Sequence, residues 1–103
     1  MNRVVVQYRT RNEAADENQA AIERVFAALA EGEPEGLSYT SMRLEEEAAG
    51  TVFVHVAEVS TEDGSNPLAA LAEFGEFQTG LADRTVEPPL ARQATVIGSY
   101  RPQ

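Results

Sequence analysis

One segment, Thr51-Val52-Phe53-Val54-His55-Val56-Ala57-Glu58-Val59, is apolar on both of the faces that a β-strand presents. Successive side chains of a strand point to opposite faces, so residues 52, 54 and 56 share one face and residues 53, 55, 57 and 59 share the other. A strand with two apolar faces lies inside a sheet that is covered on both sides. We therefore expect this segment to be a central strand.

The chain before this segment has the pattern of a strand, a helix and a second strand. Residues 3–10 contain three consecutive valines and then alternate, which is typical of a strand. Asn12 is predicted to cap a helix that Gly32 and Pro34 end. Residues 37–45 are predicted to be the next strand, and the acidic turn before Thr51 is short enough for a hairpin.

The chain after this segment predicts one more helix and one more strand. An Asn-Pro pair at residues 66–67 is predicted to begin the helix. Two internal glycines indicate that this helix is broken or bent, and Phe77 is expected at the margin of its apolar face. The buried side chains are expected to be Leu68, Leu71, Phe74, Gln78 and Leu81. The last strand is predicted at residues 92–101.

The resulting order, βαββαβ, is that of an α+β ferredoxin-like fold, in which two helices cover one face of a four-stranded antiparallel sheet. A chain of 103 residues is expected to form a single domain over residues 1–103. We assign the valine face of the central strand to the helices. The face with Phe53, His55, Ala57 and Val59 is too apolar for water, so we predict a homodimer in which a second subunit covers this sheet face.

Composition narrows the classes of function. The chain has no Cys and no Lys, which excludes disulfides, a thiol nucleophile and a Schiff-base lysine. Its net charge of −9 argues against binding to nucleic acid. One His without Cys does not complete a metal site, and we expect neither a metal nor a cofactor. The first residues lack an apolar run long enough for a signal peptide or a membrane span, so we expect a cytoplasmic protein that does not bind membranes.

Four segments carry a resemblance to a known family: Val4-Val5-Val6-Gln7-Tyr8-Arg9, Glu35-Gly36-Leu37-Ser38-Tyr39, Phe53-Val54-His55-Val56 and Phe74-Gly75-Glu76-Phe77-Gln78. With these segments in this order, the chain resembles the dimeric α/β-barrel superfamily over nearly its whole length. Within that superfamily, it resembles the antibiotic-biosynthesis-monooxygenase-like branch. The resemblance implies dimers that pair sheet face to sheet face, with a cavity in each subunit. It also implies two reaction classes, oxidation of aromatic polyketides without a cofactor and degradation of haem.

The chain departs from both reaction classes at the level of residues. The haem-degrading type uses Asn, Trp and His, with the Trp ahead of a His near the second helix. This chain has no Trp, and its only His lies on the central strand. The quinone-forming type often uses a Trp and an Asn that have no match here. Whether the chain is an enzyme therefore stays open, and an oxygenase activity is an analogy of fold.

His55 is the first candidate catalytic residue, because an imidazole titrates near neutral pH. It could remove a proton from a phenol or enol, or form a hydrogen bond with a substrate oxygen. The alternative is a hydrogen-bonded histidine of the core or of an interface, which is the commoner situation for one His on an apolar strand. Arg9 is the second candidate, since a guanidinium could hold a carboxylate or enolate.

Four further residues are candidates for binding a substrate. Arg43 resembles Arg9 in its strand position, and for both the alternative is a surface ion pair with Glu. Gln7 interrupts an apolar strand, which indicates either a polar cavity or the dimer contact. Tyr39 and Phe53 could form cavity walls or simply pack. We thus carry two hypotheses: a small cofactor-independent monooxygenase-like enzyme acting on an aromatic or enolisable compound, and a non-catalytic dimer that binds a small apolar or aromatic ligand or another protein.

Overall fold

A computed structural model describes residues 2–100 of the chain. Its elements are β1 (Asn2–Thr10), α1 (Ala15–Gly32), β2 (Leu37–Arg43), β3 (Thr51–Val59), α2 (Ala72–Arg84) and β4 (Leu90–Ala94). The four strands form one antiparallel sheet in the order β2-β3-β1-β4. The predicted α+β ferredoxin-like fold and the central position of β3 are therefore confirmed. None of the helices in this range is long and apolar enough to cross a membrane.

Strand register decides which side chains share a face of the sheet. Tyr8 of β1 lies opposite Phe53 of β3, and Val6 lies opposite His55. Tyr8 and Phe53 are buried in the same cluster as Phe77 of α2. The face of β3 that carries Phe53 and His55 therefore packs against the helices. Our assignment of the valine face to the helices is wrong, and with it the prediction that a second subunit covers Phe53 and His55.

Side-chain volume explains this orientation of β3. The buried residues of α1 are mostly small or medium in size: Ala15, Asn18, Ala21, Ile22 and Val25. Because protein interiors are close-packed, larger side chains must fill the space between this helix and the sheet. Phe53 and Tyr8 supply that volume. Val54 and Val56 of β3 instead point away from the helices and are only half-buried.

Asn12 does not cap a helix. It lies inside a short 3₁₀ turn (Asn12–Ala14) before α1; Arg11 is the N-cap of that turn and Ala14 is the N-cap of α1. The Nδ2 of Asn12 instead donates to the carbonyl oxygen of Glu47 at 2.7 Å, and its Oδ1 accepts from Thr51 Oγ1 at 2.8 Å. Asn12 thus ties the start of the helical region to the β2–β3 hairpin.

The second helix also differs from the prediction. A 3₁₀ turn (Pro67–Ala70) comes first, and the chain leaves helical geometry at Leu71 rather than at either glycine. Phe77 is buried at the centre of the packed side of α2, whereas Gln78 is exposed. Residues 77, 81 and 84 of α2 recur at intervals of four and three and form its packed side, so Phe77 takes the place that we predicted for Gln78.

The last strand is displaced toward the N-terminus. β4 spans Leu90–Ala94 and pairs with β1, so residues 95–100 lie beyond the strand and residue 101 lies outside the described residues. The side chain of Ile97 is 99% exposed and that of Tyr100 is 85% exposed. The C-terminal apolar residues of the described chain therefore do not contribute to the core of this subunit.

Candidate functional site

The only histidine of the chain lies in the middle of the helix-facing side of the sheet. His55 is buried, with 4% of its surface exposed. The hydroxyl of Tyr8 lies 2.7 Å from its Nε2, and Ser41 Oγ lies 2.6 Å from its Nδ1. The hydroxyl of Tyr39 is 3.1 Å from the same Nδ1. Both ring nitrogens therefore have hydrogen-bond partners within the fold.

Three adjacent strands place these groups around the imidazole. Ser41 of β2 pairs directly with His55 of β3, and strand alternation puts Tyr39 on the same face as Ser41. Tyr8 comes from β1 on the other side of β3. The rings of Tyr8 and Tyr39 stack on the imidazole, with centroids 5.3 and 5.9 Å away. The imidazole is thus held between two phenols.

Asn18 and Arg84 extend this hydrogen-bond network to the helices. Asn18 Nδ2 donates to the Tyr8 hydroxyl at 2.9 Å, and Asn18 Oδ1 accepts from Arg84 Nε at 2.9 Å. Arg84 Nη2 also donates to the carbonyl oxygen of Phe77 at 3.0 Å. Asn18 is fully buried and Arg84 is 8% exposed. A continuous path of hydrogen bonds therefore joins Arg84, through Asn18, Tyr8 and His55, to Ser41.

Burial determines the protonation state of the three rings, His55, Tyr8 and Tyr39. It lowers the pKa of His55 to about 4, so the imidazole is neutral at pH 7. It raises the pKa of Tyr8, although the hydrogen bond from Asn18 acts in the opposite direction. It also raises the pKa of Tyr39, opposed by a hydrogen bond with Ser41. All three rings are therefore uncharged at neutral pH.

A cavity of about 540 Å³ lies against His55, Tyr8 and Tyr39, between the sheet and α2. Its other walls are mostly apolar, with Val6 from the sheet and Phe74 from α2 among them, and none of the described lining residues is charged. The volume falls within the range of small-molecule sites, which combine apolar walls with a few polar groups. The arrangement can hold an apolar ligand and contact one of its oxygen atoms.

The structure brings two of the six predicted site residues, His55 and Tyr39, to this cavity. Phe53 is buried beside them and stacks on Tyr8 at 5.8 Å. Arg43 lies further along β2, where it donates to Asp16 and Gln19 and lies 5.9 Å from the centroid of the Phe53 ring. Phe53 and Arg43 thus do not line the cavity.

Gln7 and Arg9 lie on the opposite side of the sheet from His55. Gln7 pairs with Val54 and Arg9 pairs with Val52, so the register places both side chains with the valine face of β3. Arg9 forms an ion pair with Glu87 at 3.3 Å, and Gln7 is exposed. The strand residues that we expected around one cavity are therefore divided between two faces.

Besides Tyr8, three residues of the network were not among the six predicted site residues: Asn18, Ser41 and Arg84. Asn18 falls on the apolar stripe of the first helix, between Ala15 and Ile22, and a polar residue at such a position indicates a buried hydrogen bond. Ser41 alternates with Tyr39 and so shares its face. Arg84 follows Leu81 by three residues, which places it on the packed side of α2. Helical and strand spacing would thus have pointed to all three.

The described residues offer no evident place for a metal ion. Within residues 2–100, no three His, Asp or Glu side chains come together in a group that could hold one. The cavity itself has uncharged polar groups, which suit hydrogen bonds with an organic ligand better than coordination of a cation.

Solved structures provide the comparison with known proteins. A protein of Caulobacter crescentus assigned to the antibiotic biosynthesis monooxygenases superposes with a TM-score of 0.71 at 17% identity, covering 94% of this chain and 90% of that one. One of Nitrosomonas europaea with the same assignment gives 0.69 at 16% identity, with coverages of 93% and 89%. SnoaB, a cofactor-independent oxygenase from Streptomyces nogalater, gives 0.65 at 17% identity, with coverages of 95% and 94%.

This chain has the fold of the antibiotic biosynthesis monooxygenases. The resemblance inferred from the sequence is thus confirmed for the fold. No protein-family model matches the sequence, and no curated protein sequence does. Within this monooxygenase-like fold, the chain places His55 and two tyrosines at its cavity and has no Trp.

Proposed function

We propose that the protein binds a small aromatic or enolisable molecule beside His55 and oxidises it with O₂ without a cofactor. The observation that carries this proposal is the uncharged cluster of Tyr8, Tyr39 and His55 on the wall of an otherwise apolar cavity of about 540 Å³. Apolar walls suit the rings of such a molecule, and the hydroxyl and imidazole groups suit its oxygen atom.

The reaction class rests on the shared fold. SnoaB of Streptomyces nogalater is described as a cofactor-independent oxygenase and has the same architecture. An identity of 17% transfers no residue role from that protein to this one. The roles of His55 and Tyr39 are therefore argued from their own geometry and chemistry.

The proposed reaction balances with O₂ as the only co-reactant. A phenol or enol first loses its O–H proton, which increases the electron density on a ring or α carbon. That carbon reacts with O₂ to form a hydroperoxide, and loss of one water leaves a carbonyl group. A phenol and one O₂ thus give a quinone and one H₂O. The protein contributes proton transfer and positioning.

Because both nitrogens of His55 have partners, a proton from the ligand reaches Nε2 through the Tyr8 hydroxyl, which lines the cavity and lies 2.7 Å from Nε2. The low pKa of His55 makes it a weak base in this transfer but not an ineffective one. Moving a proton from a phenol with a pKa near 10 to an imidazole with a pKa of about 4 is unfavourable by about 8 kcal/mol. A total barrier of about 16 kcal/mol corresponds to a turnover of about 10 per second. About half of that barrier is therefore left for the reaction with O₂.

Oxygen consumption tests the proposal. Anthrones, naphthols and hydroxylated polycyclic aromatics should be oxidised at a rate that rises with protein concentration, measured with an oxygen electrode and by product absorbance. His55→Gln should lower turnover about 100-fold, in the range of general acid–base effects. Gln7→Ala, an exposed position on the opposite side of the sheet, serves as the matched control and should stay within twofold. Equal rates for His55→Gln and the unmodified protein would exclude a role of His55 in the reaction.

One observation favours a second candidate function, a binding protein without catalysis. Both nitrogens of His55 already have partners at 2.6–2.7 Å, which is the situation of an imidazole with a purely structural role. In that case the same aromatic compounds would bind with micromolar affinity in calorimetry and remain unchanged after long incubation in air. Binding without product supports this function, and product formation excludes it.

The same proposal includes assembly as a homodimer through the open sheet face, which carries Val54 and Val56 of β3, Met42 of β2 and Leu90 of β4. Met42 is 45% exposed and Leu90 is 54% exposed, so this face presents apolar surface next to half-buried valines. Contiguous exposed apolar surface is typical of interaction sites. Residues 1–103 would act as one domain, and the cytoplasmic location remains a prediction that cell fractionation would test.

A further inference from the structure

The hydrogen bonds between Arg84 and His55 have a direction that follows from their donors. The Nε of an arginine can only donate, so the Asn18 atom 2.9 Å from it must be the carbonyl oxygen Oδ1. The amide nitrogen of Asn18 then faces Tyr8 and donates to its hydroxyl oxygen at 2.9 Å. Arg84 thereby orients the Asn18 amide so that its nitrogen, and not its oxygen, faces Tyr8.

Tyr8 passes this direction on to His55. Within residues 2–100 its hydroxyl has two partners, Asn18 and His55 Nε2. Since Asn18 donates to Tyr8, the proton of Tyr8 is satisfied only if it is donated to Nε2 at 2.7 Å. An unpaired hydroxyl proton at this buried position would be costly. The neutral imidazole therefore carries its proton on Nδ1.

The far end of the path is the cavity. Nδ1–H donates to Ser41 Oγ at 2.6 Å, and Tyr39 lies 3.1 Å from the same nitrogen. A protonated Nδ1 has no lone pair for the Tyr39 hydroxyl, so the Tyr39 oxygen can only accept from it. Donation toward the Tyr39 oxygen leaves its own proton without an acceptor among residues 2–100. Because Tyr39 and His55 both line the cavity, that proton is available to a ligand.

We propose that Arg84, acting through Asn18 and Tyr8, is a positioning residue that fixes His55 as the Nδ1–H tautomer and makes Tyr39 a hydrogen-bond donor to a carbonyl, enolate or phenolate oxygen in the cavity. The ligand half of this inference rests on the proposed function, whereas the tautomer half concerns the protein alone. Arg84 is buried, and within residues 2–100 no carboxylate forms an ion pair with it. A cation at one end of the path favours negative charge at the other.

Nitrogen NMR of the imidazole tests the tautomer directly. The chain has a single His, so the ring signals of ¹⁵N-labelled protein need no further assignment. At pH 7 we expect a protonated Nδ1 and an unprotonated Nε2. Asn18→Asp keeps the shape of the side chain but accepts from both Arg84 and Tyr8. Tyr8 should then accept from Nε2–H, so the tautomer should reverse.

Two further variants separate orientation from charge. Gln78→Glu adds the same negative charge at an exposed position beside the cavity and should leave the Nδ1–H tautomer unchanged. Arg84→Met removes the group that orients Asn18 and should give a mixture of both tautomers. If Arg84→Met does not fold, Asn18→Asp still decides. A protonated Nε2 in the unmodified protein, or an unchanged tautomer in Asn18→Asp, overturns the inference.

A coloured phenol tests the ligand half. The pKa of 4-nitrophenol bound to the protein can be followed by phenolate absorbance. If Tyr39 donates to the ligand oxygen, Tyr39→Phe should raise this bound pKa by about one unit, a tenfold change in the ratio of phenolate to phenol. An equal pKa in both proteins overturns the role of Tyr39.

These results are separable from the oxygenase proposal. The expected tautomer together with an absence of oxygen consumption leaves the positioning role of Arg84 intact and removes the oxygenase. Oxygen consumption together with a protonated Nε2 would support the oxygenase and remove the positioning role of Arg84.

Discussion

Polar side chains are buried and hydrogen-bonded on one side of the sheet and mostly exposed on the other. On the helix-facing side, His55 and Tyr8 are buried, and every side chain of the network described above has at least one hydrogen-bond partner. On the open side, Gln7 and Thr40 are exposed between half-buried valines. Buried polar groups are costly unless paired, whereas exposed ones such as Gln7 and Thr40 can form hydrogen bonds with solvent. The first side therefore suits selective recognition of a ligand, and the second suits contact with another protein surface.

Charge follows the same division. The open side carries ion pairs between Arg3 and Glu58 and between Arg9 and Glu87, and the margin of the helix-facing side carries one between Arg43 and Asp16. The helix-facing side instead buries Arg84 against an amide, a carbonyl and an aromatic ring. Exposed ion pairs contribute little to stability. A buried cation contributes an electrostatic field that a ligand in the cavity would experience.

Truncation of the largest inner side chain should have the largest effect on stability. Phe53→Ala removes a ring that is 1% exposed and stacks on Tyr8. We expect the free energy of unfolding to fall by about 4 kcal/mol, as for buried Phe-to-Ala changes in general. Urea denaturation would measure it. The neighbouring Val54→Ala, on the half-buried open side, should cost about 1 kcal/mol. Equal losses would mean that the two sides are covered alike.

Acidification should have the next largest effect on the free energy of unfolding, and it acts through His55 on the helix-facing side. The pKa of His55 is about 4 in the folded chain and near 6.5 when unfolded, so the unfolded chain binds more protons between these values. Stability is fully present above pH 6.5 and should fall by about 3 kcal/mol as the pH drops to 4. The groups that face the imidazole, Tyr8, Tyr39 and Ser41, do not titrate in this range.

Comparison with His55→Gln isolates the contribution of His55 to the pH dependence of stability, because the many carboxylates titrate in both proteins. Urea denaturation at pH 7 and pH 4.5 should show a smaller difference for His55→Gln than for the unmodified chain. The same pH dependence in both proteins would show that burial does not lower the pKa of His55.

The sequence contained enough to predict β3 as a central strand and the order of elements, because these depend on period and spacing. It could not decide which face of β3 meets the helices. Both faces are apolar, and the decision depends on the register that sets Tyr8 opposite Phe53 and on the small residues of α1. The same register separates Gln7 and Arg9 from His55. Candidate residues could thus be identified, but their partners could not.

Charge on the open side should weaken assembly. Val54→Glu places a carboxylate among the apolar residues that we propose as the dimer contact, with its side chain directed away from the cavity. If this face pairs with a second copy, we expect the dissociation constant to rise about 100-fold, equivalent to about 2.7 kcal/mol. Light scattering at micromolar concentrations would measure it. A monomer before substitution would contradict the dimer.

The smallest expected change in stability comes from substituting either of two serines of β2. Ser41→Ala removes the partner of His55 Nδ1, but Tyr39, 3.1 Å from the same nitrogen, can accept the bond instead. We therefore expect a loss of only about 1 kcal/mol, the net contribution of one hydrogen bond. Ser38→Ala, exposed on the open side of the same strand, should change stability by less than about 0.5 kcal/mol. A loss of several kcal/mol for Ser41→Ala would mean that Tyr39 does not replace Ser41, and that the proton of Nδ1 has a single acceptor.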